Sequence, residues 1–139
     1  MKHSKLAGLL LACLLQAAPG LAVEFQGGEW ELAVRQTVNG MPVSREANRY
    51  RECLTPANPV PTAFLQAHSC DVLEQRERHR TVFYKVSCYT DNGSMINEGQ
   101  VRYGSFKISG ESRSDLGEIA GRPMVMHYKF EGRRLGDCD

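Results

Sequence analysis

After its first 22 residues the sequence has no second long apolar run and no charge excess of either sign. The first lack excludes an integral helical span in the body of the chain. The second excludes the global basic field that nucleic acid or an anionic lipid surface calls for. There is no G-x-S-x-G elbow, no H-E-x-x-H and no glycine-rich phosphate loop, so no motif for nucleophilic, zinc-hydrolase or nucleotide chemistry is present. No C-x2-C pair exists to make a zinc knuckle, and no C-x-x-C-H to attach haem. His68, His79 and His127, with Met124 and Met126, are the residue types copper would use, yet no two histidines stand at ligand spacing. Neither enzyme, metal nor cofactor is expected. Internal repeats, low-complexity tracts and long amphipathic helices are also missing.

What is present begins at residue 1. Lys2, His3 and Lys5 form a basic head, Leu6 to Ala18 an apolar run, and Gly20-Leu21-Ala22 a small-x-small site. This is the pattern of a secretory signal peptide cleaved after Ala22, leaving a single domain over residues 23–139. A minor alternative makes Leu10-Leu11-Ala12-Cys13 a lipoprotein signal with Cys13 lipidated. Without Lys2 and Lys5, 15 basic side chains stand against 16 acidic, for a net charge of −1. The expected location is the periplasm or the exterior.

Four cysteines remain, Cys53, Cys70, Cys88 and Cys138. An even count in a small exported domain reads as two disulfides, with three possible connectivities. The favoured pairing is Cys53–Cys70 and Cys88–Cys138. The first bridge would clip a connection carrying Pro56, Pro59 and Pro61, with a loop-closure gain on the order of 3 kcal/mol. The second would hold down the last strand.

The strand pattern is clear in places. EWELAVRQTV alternates, with Trp30, Leu32, Val34 and Val38 on one face, and Asn39-Gly40 follows as a hairpin turn. PVSREANRYREC reads as an exposed return strand, and Thr62 to His68 as one or two helical turns. DVLEQRE and TVFYKVSC are the next pair, the latter with Val82, Tyr84, Val86 and Cys88 on one face. TDNG turns into SMINEGQVRYG and SFKISGES, a hairpin around Gly104. DLGEIAGRP reads as a loop, and MVMHYKFEG puts Met124, Met126, Tyr128 and Phe130 on one side. Seven or eight short strands with turns between them predict an all-β fold, an antiparallel meander forming a small sandwich or barrel stapled by two disulfides.

Candidate binding residues are few. QRERHR gathers Arg76, Arg78, His79 and Arg80, an anion or acidic-partner site if not a solvated hairpin end balanced by Glu74 and Glu77. Trp30 is a core anchor unless it stacks on a ligand in a barrel mouth. Glu29 and Glu31 flank it as solvated carboxylates.

Several short motifs then stand in order: Gly28-Glu29-Trp30-Glu31, Cys53-Leu54-Thr55-Pro56, Cys70, Cys88 closing FYKVSC, Gly99-Gln100-Val101-Arg102-Tyr103, and Gly132-Arg133-Arg134-Leu135-Gly136-Asp137-Cys138. In this order the mature chain resembles the bacterial exported family catalogued as domain of unknown function 3617. The resemblance implies export and the four-cysteine framework, and no activity. The expected role is a non-enzymatic interaction or accessory module of an envelope assembly, with a protein partner. One alternative is a carrier of a lipid or hydrophobic metabolite in a lipocalin-like barrel. Another is a lysozyme-type hydrolase inhibitor, in which YKVSCYTDNG would serve with a spacing lengthened by Asp91 and Asn92.

Overall fold

The structure, a computed structural model, describes residues 24–139. The expected signal peptide, its expected cleavage after Ala22 and the Cys13 alternative lie outside the described residues. Eight strands follow one another: β1 (Gly28–Val38), β2 (Met41–Pro42), β3 (Asn48–Leu54), β4 (Ser69–Arg78), β5 (Thr81–Thr90), β6 (Gly93–Tyr103), β7 (Lys107–Ile119) and β8 (Arg122–Gly136). All pairings are antiparallel, in the order β2-β1-β8-β7-β6-β5-β4, with β3 also on β1. The meander from β4 to β8 is the one the consecutive hairpins predict. The sheet is not closed, so the all-β antiparallel expectation is met by one open sheet.

Period-two alternation decides the faces. Trp30, Leu32 and Val34 are fully buried, while Glu31, Ala33 and Arg35 point the other way. Val82, Tyr84, Val86 and Cys88 of β5 join them, as do Val101, Tyr103, Ile108, Tyr128 and Phe130. Asn39 and Gly40 both take positive φ, 48° and 83°, as a two-residue hairpin turn of right-handed strands requires.

One core shared by so many strands requires the sheet to curl, and glycines let it. Gly99, Gly110 and Gly132 step diagonally across β6, β7 and β8 on the inner face. A Cβ on Gly110 would meet the Phe130 ring at 2.4 Å, and one on Gly132 would meet Leu32 at 2.7 Å. At these crossings a side chain is replaced by the neighbour's own packing.

The connection 55–68 plugs the concave face. It carries one 3-10 turn, Ala63–Leu65, within the helical stretch expected after Pro61. Phe64 lies 5.1 Å from Tyr128 and 5.2 Å from Phe130, ring centre to ring centre. The Glu52 carboxylate accepts the Thr62 and Ala63 N–H groups at 3.0–3.1 Å, and the Tyr103 hydroxyl donates to the Pro59 carbonyl.

This anchoring explains the first correction. The disulfides are Cys53–Cys138 and Cys70–Cys88, not Cys53–Cys70 and Cys88–Cys138. The proline-rich connection is held by packing and by Glu52, so it needs no clip at its base. Cys70 and Cys88 are direct partners in the β4–β5 ladder, with Cα atoms 4.0 Å apart.

The second correction concerns DLGEIAGRP. It is the far end of the β7–β8 hairpin rather than a loop. Gly117, at φ 78°, sits in a bulge between Asp115 and Glu118, and Ala120-Gly121 makes the turn. Glycine in a strand marks a bulge as readily as a loop. Third, the return strand PVSREANRYREC is broken. Only Met41–Pro42 and Asn48–Leu54 pair with β1, and residues 43–47 leave the ladder.

Candidate functional site

The inner face is occupied by protein. Trp30 is 0% exposed and packs edge-on against Phe25 and Tyr103, with ring centres 6.4 and 6.1 Å away. Phe25 in turn stacks on Tyr103 at 3.7 Å. The indole is therefore a core anchor, as its place in an alternating strand suggests. Its Nε1, with Tyr84 Oη, Asn97 Oδ1 and Ser112 Oγ, is buried without a hydrogen-bond partner.

The atoms of Tyr84, Asn97 and Ser112 are arranged by register. Tyr84, Gly99, Ser112 and Tyr128 are successive partners across four strands, and Asn97 donates to Ser114 at 2.9 Å in the adjoining row. Burial pushes the Tyr84 phenol well above its ordinary value, against the opposing pull of the Ser112 hydroxyl beside it. The two oxygens stand outside hydrogen-bonding geometry. Tyr103 is raised by burial and then by the nearby Glu52 charge, and Tyr128 by burial. Glu52 is itself raised, because burial outweighs its bonds to Thr62 and Ala63. These groups are held neutral or capped, which suits a rigid core.

Chemistry open to a partner lies on the outer face. One row reads Arg35, Lys129, Glu111, Gln100, Phe83 and Arg76 across six strands. A depression of about 730 Å³ lies over this row and the next. Arg76 rests its guanidinium over the Phe83 ring, 5.7 Å from the centre, a contact that orients the cation without neutralising it.

Arg78 shares the Phe83 side of the sheet with Arg76. Arg78 and Arg80 belong to the β4–β5 turn, where they line a second depression with Arg102, Glu24 and Glu77. Arg80 and Arg102 also line a third, of about 580 Å³, with Lys107 and Arg133. The QRERHR cluster is thus spread over adjoining depressions, and its tip gains cations from β6, β7 and β8. The sequence reading missed Arg102, Lys107 and Arg133 because their proximity to Arg80 depends on register. The outward phase of Arg102, between inward Val101 and Tyr103, is the one signal available beforehand.

Half of this basic surface is neutralised. Glu31, 12% exposed, receives Arg49 at 3.0 Å, Arg133 at 3.3 Å and Arg51 at 4.0 Å. Among the described residues, Arg80, Arg102 and Lys107 have no carboxylate within ion-pair distance. No cluster of three or more His, Cys, Asp or Glu arranged for a metal ion occurs among the described residues.

The signature motifs meet at one corner. β1 lies between β3 and β8, and Glu29 is the register partner of both Cys53 and Gly136. Arg134 Nε donates to the Gly27 carbonyl at 3.1 Å. A Cβ on Gly28 would fall 2.3 Å from the Gly136 carbonyl oxygen. A family model described as a protein of unknown function, DUF3617, matches residues 25–138. The chain belongs to this family. For this DUF3617 chain the first, second and last motifs form a structural staple, because their residues hold β3, β1 and the C-terminal segment together. No curated protein and no solved structure matches the chain.

Proposed function

We propose that this DUF3617 chain is a non-enzymatic interaction module of the cell envelope, an accessory subunit that receives an extended segment of a protein partner on the free edge of β4. The observation that carries the reading is that edge. β4 is ten residues long and pairs only with β5 among the described residues. Every residue of β4 except Cys70 and Glu77 is exposed, including Val72 and Leu73. An unpaired strand edge offers its N–H and C=O groups to another strand, and neighbouring side chains add specificity.

The rest of the molecule fits a scaffold. Two disulfides suit an oxidising compartment. The Cys70–Cys88 bridge fixes the start of the edge strand to β5, so the edge is presented rigidly. The carrier reading needs Trp30 at a lumen, whereas the indole is enclosed by side chains. No observation favours the inhibitor reading.

The test is native mass spectrometry, after gentle cross-linking, of the protein taken from its own cell. A stoichiometric protein adduct is expected, and Val72→Lys with Leu73→Lys should remove it while the fold is kept. A bare monomer, or an adduct indifferent to both lysines, overturns the reading.

A further inference from the structure

One end of the sheet gathers cations that the nearby Glu29, Glu31, Glu77, Glu131 and Asp137 do not all pair with: Arg80, Arg102 and Lys107 have no ion-pair partner among the described residues. Arg78, Arg80, Arg102, Lys107 and Arg133 lie at the end of the sheet where β4 turns into β5 and β6 into β7. Asp91, Asp115 and Glu118, with Arg122, lie at the opposite end. The two turns at the basic end are tied together. The Tyr103 N–H donates to the Arg80 carbonyl at 2.8 Å, and the Gly104 N–H to the Lys107 carbonyl at 2.7 Å. The Arg134 N–H donates to the Phe106 carbonyl at 3.1 Å, which fixes the second turn against β8.

Phe106 is held by its backbone and left bare by its side chain, which contributes to a residue exposure of 72%. Leu135, one residue beyond that contact, is 40% exposed. An uncovered aromatic on an anchored turn, next to Lys107 and at the same end of the sheet as Arg80 and Arg102, combines two recognition elements. The cations suit phosphate groups, and arginine in particular can grip them with two parallel hydrogen bonds. The phenyl ring suits the boundary between headgroups and acyl chains.

We propose that this basic end docks on an anionic phospholipid surface, with headgroup phosphates in the depression lined by Arg80, Arg102 and Lys107 and with Phe106 in the interface. A soluble anion would use the cations alone and leave Phe106 in water, so the exposed ring favours the lipid surface. Glu24 and Glu77 beside Arg78 and Arg80, and Glu131 beside Arg102, temper the attraction and make it reversible. The docking is independent of the β4 edge, which lies along the side of the sheet rather than at its end.

The disulfide-bonded mature protein should co-float with vesicles of phosphatidylcholine containing phosphatidylglycerol, and should not co-float with phosphatidylcholine alone. High salt should release it. Each single charge removal, Arg102→Gln or Lys107→Gln, should weaken vesicle affinity roughly fivefold, and Phe106→Ser roughly tenfold. Ile119→Ser, at the opposite hairpin tip, should leave it unchanged. Unaltered fluorescence of the buried Trp30 shows that each variant is folded. Equal binding to both vesicle types, no binding at all, or binding indifferent to Phe106→Ser overturns the proposal. Displacement by inorganic phosphate at matched ionic strength, with Phe106→Ser silent, assigns the cations to a soluble anion instead.

Discussion

Cys53 and Cys138 are bonded although β1 runs between the strands that lead to them. Their Cα atoms are 5.6 Å apart, so the segment after β8 crosses the start of β1 to reach β3. Gly28 lies where the crossing passes, and its missing side chain leaves the room.

The two bridges should differ in worth. Cys53–Cys138 spans 85 residues of sequence and Cys70–Cys88 spans 18. By loop-closure entropy the first is worth about 4–5 kcal/mol and the second about 3 kcal/mol. Urea unfolding of the Cys53→Ser/Cys138→Ser and Cys70→Ser/Cys88→Ser proteins should rank them in that order. Peptide mapping without reductant should recover the same two pairs.

Gly28→Ala should destabilise the fold by about 1–3 kcal/mol, because its methyl group would meet the Gly136 carbonyl and the Arg134 guanidinium. Gly136→Ala has nothing within 4 Å of the added carbon and should be close to neutral. Denaturant midpoints of the two variants check the contrast.

Glu52 gives a pH dependence of definite sign. Burial raises its folded-state pKa above the ordinary 4.5, so over that interval the native state holds the proton more tightly than the unfolded chain. Its contribution to stability is complete below 4.5 and is lost as pH rises through the folded value. Urea midpoints from pH 4 to pH 8 should carry this falling component. Glu52→Gln should remove it.

Tyr84 and Tyr103 should resist ionisation while the protein is folded, since burial raises both. Above the ordinary phenol value of 10 the unfolded chain releases protons that the native state keeps, so stability falls with rising pH. Absorbance of tyrosinate should rise for these two rings together with loss of the fold. Tyr103→Phe also leaves the Pro59 carbonyl without its donor, at a cost of about 1–3 kcal/mol.

Much of the sheet was legible because alternation is a local signal. Trp30, Val82, Tyr84, Tyr128 and Phe130 all face the core side that the spacing assigns them. Asn39-Gly40 and the turn around Gly104 were legible for the same reason, since turn chemistry resides in adjacent residues. The pairing of Cys53 with Cys138 was not, because it depends on β1 lying between β3 and β8, a fact of sheet order. Gly117 misled because a bulge glycine and a loop glycine look alike in sequence. The outer-face cations were hidden similarly. Arg80 and Arg102 are 22 positions apart in the chain and become neighbours only through the β5–β6 register.

The place of β1 also sets a timetable. It is the first strand to be synthesised, and its long ladder runs with β8, the last. Until Phe130 and its neighbours arrive, Trp30, Leu32 and Val34 lack half their cover, however complete the meander between them has become. Pairings so distant in sequence form late. The β1–β8 ladder is therefore the closing step of the sheet, and Cys138, bonded to Cys53, bolts it.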